Sequence, residues 1–133
     1  YDIVMDATDQ LENKFLINDV CVSAEKPFVH GGITGFSGQV MTYVPEKGPC
    51  YRCIFGEVPE DNAPAPIPVI GVTAGIIGTI QAAEAIRYLL GIPSLLTGKL
   101  LVLDGLRMQF RTVPFPHVSE HCPLHTRKGV TDL

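Results

Sequence analysis

The sequence predicts an α/β fold built on a mixed sheet, parallel at its start and antiparallel towards the C-terminus. Three observations carry this expectation. Ile3-Val4-Met5 is a short apolar run that stops in Asp6-Ala7-Thr8-Asp9 and passes into a helical stretch. A run so short and so apolar suits a parallel strand covered on both faces, at the centre of a sheet. Phe28-Val29-His30 reads as the next buried strand, after the helix and the break at Lys26-Pro27. Leu100–Asp104 and Met108–Val113 then flank Gly105-Leu106-Arg107 as an antiparallel hairpin that turns at Asp104-Gly105.

The first helix is expected over 10–23, with Leu11, Phe15, Ile17, Cys21 and Val22 on its apolar face. Thr8 or Asp9 suits its N-cap, and Glu12, three places after Asp9, would complete a capping box. Asp6 and Asp9 therefore lie at the carboxyl end of a strand, beside a helix N-terminus, where open α/β sheets bind ligands. The plainer alternative is that Asp9 only caps the helix. Cys21 reads as a small core residue, and His30 as a hydrogen-bonded strand residue. Gly31-Gly32 is expected to break the second strand, and Gly38–Val44 alternates as a third. The glycines at 31, 32, 35 and 38 mark tight turns, or a close approach of backbone to a ligand or a partner's tail.

Residues 45–70 read as a long crossover loop that delivers Cys50 and Cys53. Pro59, Pro64, Pro66 and Pro68 forbid a regular helix over its second half, and loops of this length are usually functional or mobile. Val69–Leu90 is the longest helix candidate, stopped by Gly91 and Pro93. Gln81, Glu84 and Arg87 interrupt it too early for a membrane span. Gly71, Gly75 and Gly78 leave room for close packing, so a buried helix at a dimer interface is expected.

A chain of 133 residues suffices for one domain with a real core. Hydrophobic residues make up 46% and charged ones 18%, which suits a globular chain that hides surface against a partner or further chain. The net charge of −4 excludes an electrostatic footprint for nucleic acid or acidic membrane. No basic n-region opens the sequence at Tyr1-Asp2, and the cysteine spacing is that of metal or redox chemistry. A cytoplasmic protein with reduced thiols is therefore expected.

Cys50-x-x-Cys53 and Cys122-x-x-His125 together supply four ligands of the right type for tetrahedral zinc. The two-residue spacing within each pair lets both side chains face one ion. Such a closed set would be structural, clipping the loop at Cys50 to a zinc-binding tail over 114–133. His121 is the substitute for His125, and a site that has lost its metal is the alternative. A redox disulfide at Cys50 and Cys53 is disfavoured, because no thioredoxin-like pattern surrounds the pair.

Asp6-x-x-Asp9, then Lys14 and Asn18, resembles the Asp-x-x-Asp-Asn-x-x-x-Arg-x-x-x-Asn signature of the MoeB/ThiF/HesA family, relatives of the ubiquitin-activating enzymes. The likeness continues through Gly35-Phe36-Ser37-Gly38-Gln39-Val40, Gly48-Pro49-Cys50-Tyr51-Arg52-Cys53 and Gly75–Ala85, over nearly the whole chain. Gln10 stands where the family has Asn, Lys14 where it has Arg, and His125 where it usually has the last cysteine. The resemblance implies a Rossmann-like sheet and a partial activating-enzyme domain over 1–133. It implies ATP-dependent adenylation of the C-terminal Gly-Gly of a ubiquitin-like sulfur-carrier protein, of the thiamine or molybdopterin type. It also implies a magnesium role for Asp9, the catalytic position, with Asp6 and Lys14 completing the cofactor-binding set; Asp6 would shape the strand end and Lys14 replace a supporting Arg. A homodimer is implied as well.

In that family a nucleotide-binding half with a Gly-rich loop precedes this point, and no Gly-x-Gly-x-x-Gly follows a strand here. The expectation is a C-terminal half, or a shortened relative, unable to adenylate alone. Some members carry a reactive cysteine on the crossover loop; none lies between Cys53 and Cys122 here, which argues against thioester or persulfide chemistry on it. The alternative function is a non-catalytic, zinc-stabilised module that binds a carrier or a partner subunit. A plain dinucleotide-binding enzyme is a third reading, opposed by the missing Gly-rich loop and by the zinc pairs.

Overall fold

The computed structural model describes residues 1–60 and 65–125. Residues 61–64 of the expected crossover loop and 126–133 of the expected tail lie outside the described residues.

The elements run β1 (Val4–Asp6), α1 (Leu11–Ser23), β2 (Phe28–Thr34), β3 (Ser37–Tyr43), α2 (Tyr51–Phe55), α3 (Gly71–Leu89), β4 (Lys99–Asp104) and β5 (Gln109–Pro114). The five strands form one sheet in sequence order. β1 and β2 are parallel, with Asp6 opposite His30; every later pairing is antiparallel. The mixed sheet is as expected.

Alternation along the strands separates two cores. Phe28, Met41 and Tyr43 face α1 and α2, where they meet Phe15, Cys21, Val22, Tyr51 and the buried cysteines 50 and 122. Val29, Val40 and Leu103 face the other way and meet Ile77 of α3. The period of two on each strand thus places α1 and α2 on one side of the sheet and α3 on the other.

Several local expectations fail for identifiable reasons. The capping box of Asp9 and Glu12 does not form: α1 starts one residue later, with Gln10 at the cap position and no side-chain bond, while Thr8, the other cap candidate, spends both its backbone N–H and its hydroxyl on Asp6. β1 is an edge strand among the described residues, and Met5 is 40% exposed rather than covered. Gly31-Gly32 does not break β2, which continues to Thr34. Gly31 is there for space: a Cβ on it would overlap the Gln81 side-chain amide of α3.

α3 is not a buried helix. It buries Thr73, Ile77, Gln81 and Glu84, a stripe at steps of four and three residues, and leaves Val72, Ile86 and Leu89 exposed. Gly71, Gly75 and Gly78 face open space and pack against nothing within the described chain. No described helix is long and apolar enough to cross a membrane. Its end follows the Gly-stop expectation. Gly91 has φ +70°, and the N–H groups of Gly91 and Ile92 donate to the carbonyls of Tyr88 and Arg87, the paired bonds of a Schellman motif. The hairpin joins Asp104 to Gln109; Asp104 accepts the backbone N–H groups of Leu106 and Arg107 within the turn.

Candidate functional site

Two groupings of functional side chains lie on the α1 side of the sheet. The first is at the carboxyl end of β1. Asp6, fully buried, accepts from Thr8 N at 3.0 Å and Thr8 Oγ1 at 2.7 Å on one oxygen. The other oxygen accepts from Lys14 Nζ at 3.2 Å and meets His30 Nδ1 at 2.8 Å. Lys14 also donates to the Gly31 carbonyl at 2.7 Å, so its ammonium is held inside by two acceptors. Burial pushes the Asp6 carboxyl up, but the hydrogen bonds from His30 and Thr8 and the Lys14 charge outweigh it and hold the pKa at about 2. Burial pushes the His30 pKa down, only partly opposed by its bond to Asp6. The ring is therefore neutral near pH 7. A carboxylate only accepts, so Nδ1 carries the proton. Nε2 is then an acceptor, and it faces the Gln39 amide nitrogen at 3.1 Å.

Asp9 follows this hub directly and is exposed, ahead of α1. Asp6 and Lys14 are thus brought together as an internal pair, while Asp9 stands apart from them, towards solvent. His30 is a hydrogen-bonded strand residue, as expected, but neither it nor Gln39 was assigned to the site from the sequence. β2 alone offered no charged neighbour for His30; the parallel register that sets it opposite Asp6 supplies one.

The second grouping joins α2 to the tail. The ligand atoms of Cys50, Cys53, Cys122 and His125 all lie within 4.8 Å of one another. Cys50 Sγ is 3.7 Å from Cys53 Sγ and 3.7 Å from Cys122 Sγ. A regular tetrahedron with Zn–S bonds of ~2.3 Å has S···S edges of about 3.8 Å, so the spacing suits a zinc-sized ion. His125 Nε2 is buried with no hydrogen-bond partner, a costly state for a polar atom that an ion would relieve. The exposed His121 is not in the cluster, so of the two candidate histidines His125 is the one placed to bind. A hydrogen bond from Cys50 holds the Cys53 thiol down, and the same bond pushes Cys50 up. This donor set can hold a metal.

α1 ties the two groupings together. Asn18 Oδ1 accepts the Tyr51 N–H at 2.8 Å at the start of α2. Asp19 receives a two-pronged bond from Arg52, at 2.6 and 2.7 Å, and the Arg52 guanidinium lies over the Phe15 ring. The Tyr51 ring packs edge-on against Phe15, with centroids 5.0 Å apart, and lies 4.7 Å from the His30 ring.

Comparison with known proteins gives the family and the fold. The model of the ThiF family matches residues 1–124. The SAMP-activating enzyme E1 of Haloferax volcanii is 43% identical over 138 residues, covering 99% of this chain and 49% of that protein. The adenylyltransferase and sulfurtransferase MOCS3 of Drosophila persimilis is 38% identical over 135 residues, covering 95% of this chain and 30% of that protein. The chain thus spans half or less of these relatives. Among solved structures, E. coli MccB with ATP superposes with a TM-score of 0.77 at 20% identity, covering 92% of this chain and 39% of MccB, which shows the shared fold.

Proposed function

Because this chain belongs to the ThiF family, we propose that it is part of an ATP-dependent adenylyltransferase acting on the C-terminal Gly-Gly of a ubiquitin-like sulfur-carrier protein. The observation that carries this reading is the exposed Asp9 carboxylate, next to a buried and fully bonded Asp6, at the end of a parallel strand. Adenylyl transfer gathers negative charge on phosphate oxygens, and bound magnesium neutralises it. Hard cations take carboxylate ligands. Asp9 is the free carboxylate of the pair and would hold magnesium. Asp6 has its hydrogen bonds to Thr8, Lys14 and His30 inside the protein, and Lys14 is spent on Asp6 and Gly31; both serve by fixing the strand end.

The Cys50, Cys53, Cys122 and His125 set would hold a structural zinc, since it leaves no open position. The ion would clip the tail from 114 onward to the crossover over 45–70. The exposed apolar residues Val72, Ile86 and Leu89 of α3 support a homodimer, and the gathering of Cys50, Cys53 and Cys122 at metal-ligand distances supports a cytoplasmic setting. The rest of the phosphate contacts would come from chain outside 1–133, so these residues alone would not adenylate.

The test is ATP–pyrophosphate exchange by the full-length protein, stimulated by a carrier ending in Gly-Gly. Asp9→Asn should lower exchange by about 100-fold or more, the scale of losing one preorganised electrostatic group. Carrier binding that is tight, independent of ATP and accompanied by no exchange would instead establish the non-catalytic zinc module.

A further inference from the structure

The proposed magnesium carboxylate sits on a turn with no side-chain helix cap of its own. Gln10 caps α1 without a side-chain bond, and Asp9 is exposed. What holds the turn is Asp6, which takes the Thr8 N–H and hydroxyl on one oxygen, one residue before Asp9. Asp6 is held in turn from behind. The Gln81 amide of α3 donates to its backbone carbonyl at 2.8 Å, Lys14 supplies charge, and His30 Nδ1–H donates at 2.8 Å.

His30 is the part of this support that cannot swing away. Its side chain is 0% exposed. Tyr51 and Phe55 pack on its ring, at centroid distances of 4.7 and 6.1 Å, and Gln39 engages its far nitrogen. Lys14, by contrast, is a single ammonium on a long stem that also serves the Gly31 carbonyl. The imidazole therefore fixes which way the Asp6 carboxylate faces, and the carboxylate fixes the backbone at Thr8.

We propose that His30, oriented by Gln39, is a positioning residue for Asp9, acting through Asp6 and Thr8 rather than by touching substrate or metal. The role rests on the reading of Asp9 as the magnesium carboxylate. It assigns function to a histidine and a glutamine on β2 and β3, outside the strand-end motif.

Two readouts on the full-length protein test it. The first, without metal, is amide hydrogen exchange at Thr8 and Asp9, followed by mass spectrometry on the peptide that spans them. The second is the magnesium concentration giving half-maximal pyrophosphate exchange. His30→Phe should speed amide exchange at Thr8 and raise the magnesium requirement, each by about tenfold, as loss of an outer-shell partner of a metal ligand does. The carrier KM should stay unchanged. His30→Asn keeps a donor near the Nδ1 position and should restore both values towards wild type. Should His30→Phe fail to fold, Gln39→Leu should move both readouts in the same direction by a smaller factor. A folded His30→Phe or Gln39→Leu variant that matches wild type in both readouts overturns the proposal, even if its melting temperature is lower. Failure of the parent reading looks different: the wild type would show no magnesium-dependent exchange, or Asp9→Asn would match it.

Discussion

Removing the metal from the Cys50, Cys53, Cys122 and His125 cluster should destabilise the protein by an amount that follows from chain connectivity. Cys50 and Cys122 are separated by 72 residues. The folded chain already holds both ends at the site, whereas the unfolded chain would have to close that loop to bind the ion as well. The chain-entropy relation for a cross-link of this length gives about 4 kcal/mol. With a urea dependence of ~2 kcal/mol per molar for a small domain, the unfolding midpoint should fall by about 2 M. The assay is urea unfolding of the zinc-loaded full-length protein with and without a chelator, with metal content measured on the same samples. Cys122→Ser should reproduce the chelated midpoint and lose its zinc. His125→Cys should keep the metal, and His121→Ala should change nothing, since His121 is exposed and outside the cluster. Equal midpoints with and without chelator, or loss of metal from His121→Ala, would refute the clip.

Three further outcomes are expected. Asn18→Ala removes the acceptor for the buried Tyr51 N–H and should cost about 1–3 kcal/mol in chemical unfolding, with an accompanying loss of zinc affinity because α2 carries Cys53. Glu84→Ala should be more damaging. Glu84 is 2% exposed and accepts from Thr42, Arg87 and the Leu96 backbone, so about 3 kcal/mol or more is expected from thermal melts, with the 92–98 segment freed from α3. On acidification, Asp6 and His30 act in the same sense. Both folded-state pKa values are depressed, so each contributes stability that is present above its unfolded value and lost as pH falls through the folded one. The Asp6 contribution should disappear between pH ~4 and ~2 and be worth at most about 2 kcal/mol for a shift from 3.8 to about 2. The His30 contribution should begin to fade below about pH 6.5. Asp6→Asn should flatten the lower limb of the stability profile, and an unchanged limb would contradict the hub.

Some of this was legible in sequence because it depends on near neighbours. The four candidate metal ligands were visible as two pairs, since ligand spacing within a turn is a local property. The span and stop of α3 followed from a helical run ended by Gly91. The hairpin followed from apolar alternation around Asp104-Gly105. Failures occurred where a distant residue decided the outcome. Gly31-Gly32 looks like a strand break until Gln81, on another element, is seen to fill the space beside Gly31. Thr8 was a sound local choice of helix cap, undone because Asp6, held by Lys14 and His30, takes it for itself.

The sequence by itself determined the strands and the two long helices, though not α2, which lies inside the expected loop. It also determined the strand-end carboxylates, the cysteine and histidine pairs and the likeness to one family, because period, spacing and motif order are written along the chain. Only the tertiary structure decided which carboxylate is spent inside and which faces solvent, which histidine joins the cysteines, and that His30 belongs with Asp6. Those outcomes depend on register and burial. The parallel pairing of β1 with β2 sets Asp6 opposite His30, and a buried charge must find its partners wherever the fold has placed them.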